Sequence, residues 1–275
     1  MNLLLCTDLD RTLIPNGDHP ESPSARELFS RFVRSSSVRL AYVSGRHRAL
    51  ISEAIRAYHL PMPDFAIADV GSTIYRIDHG VWQQWSAWDA AIASDWQGLS
   101  TQNLHALLSE ITPLQLQEPE KQNTHKLSYY LPFGHDHQTV IRDIETRLKA
   151  ENIRANLIWS VDAPRHIGLL DILPASANKL HAINFLMQHE GYDNTDTVFA
   201  GDSGNDLDVL QSPIPSVLVA NADDAVRASI LAASPEKLYP ARGDFLGMNG
   251  CYSAGILEGI AHYWPEYAPL IAGLR

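Results

Sequence analysis

Over its first 78 residues the chain alternates short apolar runs with helix-period segments, and that alternation limits the fold more than any other feature. The apolar runs are residues 3–7, 40–43, 65–69 and 73–77, and the amphipathic segments among them are 24–34 and 48–59. Strand and helix taken in turn imply an α/β fold, a parallel sheet with helices on both faces. Such sheets bind ligands beyond the C-terminal edges of their strands. The residues just past each strand are therefore the candidate site.

The first strand runs directly into Asp8-Leu9-Asp10-Arg11-Thr12. Two carboxylates one residue apart at a sheet edge suit a nucleophile and an acid/base, although Asp-x-Asp also occurs in ordinary loops. The run 40–43 ends in Ser44-Gly45-Arg46 before a helical pattern. A hydroxyl with adjacent N–H groups there can hold a phosphate oxygen or simply cap the helix. Lys179, in Ser176-Ala177-Asn178-Lys179, opens a helix-like run. A first-turn lysine opposes the helix macrodipole, which an anionic neighbour would offset; a solvated surface lysine reads the same way. Finally, Val198-Phe199-Ala200-Gly201-Asp202-Ser203-Gly204-Asn205-Asp206 takes a strand into a turn with two acids four residues apart. That turn can offer oxygen ligands to a hard divalent cation or be an Asx-rich turn.

Between about His79 and Leu173 the alternation stops. Helical runs at 101–111 and 138–150 and strands at 126–131, 155–161 and 166–172 predict an inserted α+β unit. The expected division is a Rossmann-like core of residues 1–78 and 174–275 with a cap of residues 79–173. Trp82, Trp85, Trp88 and Trp96 crowd the start of the insertion, either as packing inside a small cap or as a platform for a sugar ring. His135 and His137 lack a third ligand at zinc spacing and read as solvated loop residues.

A formal net charge of −11 without a Lys/Arg cluster argues against nucleic acid or an anionic membrane as partner. An acidic chain that handles a phosphorylated substrate needs local positive charge, which makes a metal and Lys179 necessary parts of the reading. Cys6 and Cys251 lie at opposite ends with no Cys-x-x-Cys spacing. No run approaches membrane length and the N-terminal apolar stretch is too short for a signal peptide, so a cytoplasmic protein is expected.

Taken together and in this order, the segments at Asp8, Ser44, Lys179 and Asp202 resemble the four motifs of the haloacid dehalogenase-like phosphohydrolase superfamily. Asp69-Val70-Gly71-Ser72-Thr73-Ile74-Tyr75, Lys126-Leu127-Ser128-Tyr129-Tyr130-Leu131 and the stretch 252–262 are similar to the sucrose-phosphate phosphatase group within it. The resemblance implies a Mg²⁺ held by the Asp8 carboxylate, the Asp10 backbone carbonyl and Asp202, with Asp206 acting through water. It implies Asp8 as nucleophile and Asp10 as general acid and base, Asp10 keeping a proton near neutral pH because of its acidic neighbours and Asp8 staying ionised. Ser44, Gly45, Lys179 and Asn205 would hold the phosphate, and Thr12 would order the loop. The same likeness points to Gly71, Ser72 and Lys126 as sugar contacts, against the plainer roles of turn, cap and solvated strand-edge lysine.

The reaction that this resemblance implies is Mg²⁺-dependent hydrolysis of sucrose 6-phosphate, or of mannosylfructose phosphate, a mannosylglycerate-type phosphate or a hexose phosphate. Thr73 stands where the nearer relatives tend to carry Glu, and the loop 162–166 looks longer than theirs, so the accepted sugar is open. A reading of another class is a non-catalytic partner associated with a sugar-phosphate synthase; intact acids at the motif positions argue against it.

Overall fold

The computed structural model describes residues 2–35, 37–162 and 165–275. Its larger sheet takes strand β1 (Leu3–Thr7), β2 (Val38–Val43), β3 (Phe65–Ala68), β4 (Thr73–Asp78) and β5 (Val81–Gln84) from the first part of the chain. The smaller sheet follows with β6 (Gln115–Leu116), β7 (Leu127–Pro132), β8 (Ala155–Asp162) and β9 (Ile167–Pro174). The chain then returns to the larger sheet with β10 (Thr197–Gly201), β11 (Ser216–Leu218) and β12 (Leu238–Pro240). The order across the larger sheet is β12-β11-β10-β1-β2-β3-β4-β5. Every pairing from β12 to β3 is parallel, and β4 and β5 close the edge antiparallel.

Strands β1 and β10 sit in the middle of the sheet and are buried along their whole length, as continuous apolar runs must be when both faces are covered. On one face lie α1 (Ala25–Ser35), α2 (Arg48–Ala57) and, at the C-terminus, α9 (Ser253–Tyr263) and α10 (Tyr267–Gly273), which bury Phe29, Phe32, Ile51, Leu257 and Ile260. The other face is covered by α3 (Ser86–Ala93), α6 (Lys179–Glu190), α7 (Leu207–Leu210) and α8 (Asp224–Ala233), around Trp88, Ile183, Leu186 and Phe199. Helix α9 approaches β11 so closely that a Cβ on Gly259 would stand 2.1 Å from Val217. Among the described residues no helix is long and apolar enough to cross a membrane.

The smaller sheet, in the order β6-β7-β9-β8, is antiparallel throughout. With α4 (Thr101–Leu108) and α5 (His137–Ala150) it encloses its own core of Trp96, Leu104, Leu108, Tyr129, Ile144 and Leu170. Helix α4 opens with a reciprocal capping box between Ser100 and Asn103. This body is the two-helix, strand-rich insertion expected from the sequence.

Its expected beginning at His79 differs from the sheet membership. Strand β5 lies past His79 yet pairs with β4, and Trp88 and Ile92 of α3 pack on the larger sheet. The tryptophans divide in the same way, which corrects the expectation that they pack together in the cap or form a platform. Trp82, Trp85 and Trp88 cover the larger body, and only Trp96 is in the core of the smaller one. His137 stacks on Trp159 with ring centroids 4.7 Å apart, while His135 is exposed. Of the loop at 162–166, residues 163 and 164 lie outside the described residues.

Candidate active site

Strand β1 delivers Asp8 to the C-terminal edge of the sheet, where its N–H still donates to Ala200 of β10 at 2.9 Å. Beyond it the chain coils tightly, with the amides of Thr12, Leu13 and Ile14 all donating to the Leu9 carbonyl. The neighbouring strand β10 delivers Asp202 and the turn to Asp206 at the same edge. Gly201 is required there, because a Cβ would stand 2.7 Å from the Asp206 carboxyl carbon. Asp206 Oδ2 in turn accepts from the amides of Asp202 and Ser203 and the Ser203 hydroxyl at 3.1–3.2 Å, locking the turn.

Lys179 begins α6, behind an N-cap in which the Asn178 side chain accepts from the His181 amide. Its ammonium, 2% exposed, donates to Asp8 at 2.9 Å, Asp206 at 2.7 Å and Asn205 at 3.2 Å. The anionic neighbour that the sequence asked for is therefore two carboxylates. Burial works to lower the Lys179 pKa, but Asp206 and Asp8 outweigh it and hold the amine charged. Thr12 donates to Asp202 at 3.0 Å, so it orders the acid as well as the loop.

Asp8, Asp202 and Asp206 are all buried and bring ligand oxygens within 4.8 Å of one another. Burial, helped by Asp206 and Asp202, pushes Asp8 up to about 8 against the opposing pull of Lys179; burial and Asp206 push Asp202 up to about 6. One ammonium thus fails to balance three buried carboxylates. Among the described residues Asp202 Oδ2 accepts no hydrogen bond, and the cation paired with it is the half-exposed Arg11 at 3.2 Å. An oxygen-only donor set with net negative charge and an orphaned carboxylate oxygen fits a hard divalent cation such as Mg²⁺. The expectation that Asp8 stays ionised holds for an Asp8 facing such a cation, whose charge would offset the burial and the acidic neighbours.

Asp10 has different partners. Arg46 grips both of its oxygens, Nε to Oδ2 at 2.7 Å and Nη2 to Oδ1 at 2.6 Å, and Asn16 donates to Oδ1 at 2.7 Å. Burial works to raise the Asp10 pKa, but the Arg46 hydrogen bonds and charge hold it below the ordinary carboxylate range. The expectation of a proton kept on Asp10 by acidic neighbours is overturned, since the nearest charge is a guanidinium.

Ser44 and Gly45 leave β2 on the same edge as Asp8, and Ser44 is 1% exposed. The Ser44 hydroxyl accepts from the Arg46 amide at 3.1 Å. Gly71, Ser72 and Lys126 gather in a second cluster at the junction of the two bodies. Lys126 Nζ stands 3.7 Å from both Asp69 and Asp171, and the Asn123 amide donates to the Ser72 hydroxyl at 3.2 Å. Lys126 is thus a buried, doubly paired cation and not a solvated edge lysine. Beside Lys179 lies a cavity of about 160 Å³ lined by Lys179, Gly204 and Asn205 together with Val70 and with Asn156 and Ile158 of β8.

Arg11, Asn16, Arg46, Asp69, Asn123 and Asp171 were not singled out by sequence reasoning. For Arg46 there was a signal, its place directly after Ser44-Gly45. For Asn123 and Asp171 there was none, because only folding brings them to the hinge.

The sequence profile of sucrose-6F-phosphate phosphohydrolases matches residues 1–264. A protein of Nitrosococcus oceani named as a HAD-like hydrolase is 55% identical over 96% of this chain and 72% of its own. Sucrose-phosphatase 1 of Nicotiana tabacum is 28% identical over 95% of this chain; the match spans only 59% of the tobacco protein. The sucrose-phosphatase of Synechocystis sp. PCC6803, solved in complex with sucrose and phosphate, superposes with a TM-score of 0.74 at 29% identity, covering 96% of this chain and 98% of that one. The chain belongs to the sucrose-6F-phosphate phosphohydrolase family of HAD-like phosphatases.

Proposed function

We propose that the chain hydrolyses a sugar phosphate monoester, with sucrose 6-phosphate as the first candidate, and that Asp8 is the nucleophile. The observation that carries this reading is the buried Asp8–Lys179–Asp206 contact with Asp202 beside it, next to a cavity that Lys179 and Asn205 line. A phosphate monoester repels nucleophiles, so positioning and neutralisation must supply most of the catalysis. A Mg²⁺ held by Asp8, the Asp10 carbonyl and Asp202, with Asp206 behind them, would supply the missing positive charge.

Asp8 attacks phosphorus, the bond to the sugar oxygen breaks, and Asp10 protonates that oxygen as it leaves. Water then attacks the phosphorylated Asp8 while Asp10 takes its proton, releasing phosphate. Asp10 must acquire a proton before the first step; an arriving anionic phosphate raises its pKa by like-charge repulsion. Lys179, Ser44, Gly45 and Asn205 hold the phosphate oxygens. The smaller body acts as the cap, and Lys126, Ser72 and the backbone at Gly71 meet the sugar. Its closure excludes water from the phosphoryl centre.

The test is phosphate release from sucrose 6-phosphate, mannosylfructose phosphate, glucose 6-phosphate and fructose 6-phosphate, with Mg²⁺ and with EDTA. Turnover of at least one ester with Mg²⁺ and none with EDTA is expected, with sucrose 6-phosphate preferred. Absence of Mg²⁺-dependent release from all of them removes the proposal.

A further inference from the structure

We propose that Arg46 is a positioning residue that aims the Asp10 carboxylate at the leaving-group oxygen. The proposal rests on the reading of Asp10 as proton donor.

Asp10 stands past the end of β1 with a side chain 40% exposed, and a carboxylate there would otherwise rotate freely. Both of its oxygens are instead engaged by one guanidinium fork, at 2.7 and 2.6 Å. Such bidentate pairing fixes the plane of the carboxylate as well as its position. Asn16 adds a second donor to Oδ1 at 2.7 Å, while its own oxygen accepts from the Arg11 amide at 2.8 Å.

Arg46 is itself well anchored. Its amide donates to the Ser44 hydroxyl at 3.1 Å, its carbonyl accepts from the Asp69 amide at 3.0 Å, and the Val70 amide donates to the Ser44 carbonyl at 3.1 Å. Those amides belong to a left-handed turn, with φ of 52° at Asp69, 61° at Val70 and 97° at Gly71. The turn lies at the junction of the two bodies. The guanidinium therefore transmits to Asp10 a position set by the edge of β2 and by the junction turn. Proton transfer demands hydrogen-bond reach at the reacting oxygen, so fixing the donor contributes directly to rate.

The effect is read from how kcat/KM depends on the leaving group, because this ratio reports the step that forms the phospho-enzyme. The substrates are 4-nitrophenyl, phenyl and 4-methoxyphenyl phosphate with Mg²⁺. A good leaving group needs no proton; a poor one does. For R46Q, kcat/KM should fall about 100-fold with phenyl phosphate and stay within about threefold of wild type with 4-nitrophenyl phosphate. Inhibition by inorganic phosphate should be unchanged. R46K keeps the charge but not the fork, and should recover only part of the loss; it also decides the matter if R46Q does not fold.

An equal loss with every ester, together with weakened phosphate inhibition, would make Arg46 a phosphate ligand and overturn the proposal. So would a wild-type dependence on leaving group in both Arg46 variants. D10N separates the two levels of the argument. If D10N shows no added dependence on leaving group, Asp10 is not the donor and the proposal falls with that reading. If D10N is steep while the Arg46 variants are not, only the role of Arg46 falls.

Discussion

Asp202 shows how a single side chain can cost stability in the service of a site. It is 1% exposed and, among the described residues, has one hydroxyl donor and leaves Oδ2 without a hydrogen bond. Its folded pKa, about 6, lies above the ordinary value of 3.8. The native state therefore binds more protons than the unfolded chain between about pH 4 and pH 6, and stability falls as pH rises through that window. Above it the loss is complete. Asp202→Asn keeps the Thr12 contact and removes the charge, so without Mg²⁺ at pH 8 it should be more stable than wild type by about 1–3 kcal/mol. Added Mg²⁺ should raise the melting temperature of wild type and leave the variant nearly unmoved, which thermal denaturation with and without the ion measures. Asp8→Asn belongs to the same scale. It should abolish phosphate release, a loss of about 10⁴-fold or more, with an unchanged circular dichroism spectrum; wild-type turnover in steady state would remove Asp8 as nucleophile.

At the scale of elements, the junction turn 69–71 has little freedom. Val70 is β-branched at φ 61°, an uncommon conformation that only the surroundings hold in place. Gly71 has φ 97° and packs on the backbone of Asn178, where a Cβ would stand 2.4 Å from the carbonyl carbon. That contact joins the turn to the N-cap of the helix that begins with Lys179. Gly71→Ala should therefore destabilise the protein by about 2–4 kcal/mol, lowering the melting temperature by about 5–10 °C. Activity should fall with it, because the start of α6 must move; an undisturbed melting curve would show that the turn can relax away from the helix. Strands β1, β2, β3 and β10 and helix α9 were legible in the sequence, since each is a continuous apolar run or a strong helical period. Strand β5 was not. Its residues Val81–Gln84 are mostly exposed and acquire strand form by pairing with β4 at the sheet edge.

The whole molecule assembles two charged clusters, acids and Lys179 in the larger body and Lys126 with its two carboxylates at the junction. Burial pushes Asp69 up against the pull of Lys126, and the Ser128 hydroxyl donates to Asp171 at 2.6 Å. A sugar hydroxyl could donate to these carboxylates and accept from the ammonium. Lys126→Met should raise KM for a sugar phosphate about 10- to 100-fold, while 4-nitrophenyl phosphate, which has no sugar, should be turned over within about threefold of the wild-type rate. Equal losses on both substrates would mean that Lys126 holds the bodies together and does not read the sugar.

The sequence by itself determined where β1 and β2 end, and which acids and lysine follow the strands and open the helix of the site. Those features are local, a matter of apolar period and of the turn residues that follow. Only the tertiary structure decided the partners. Arg46 reaches Asp10 across 36 positions of chain, Lys179 reaches Asp8 across 171, and Asn123 reaches Ser72 across 51. No pattern within a window of sequence encodes such meetings, because they depend on which strands lie side by side and on the angle at which the second body returns to the first. The charge of each group follows from those meetings: a guanidinium keeps Asp10 ionised, and burial among acids pushes Asp8 up.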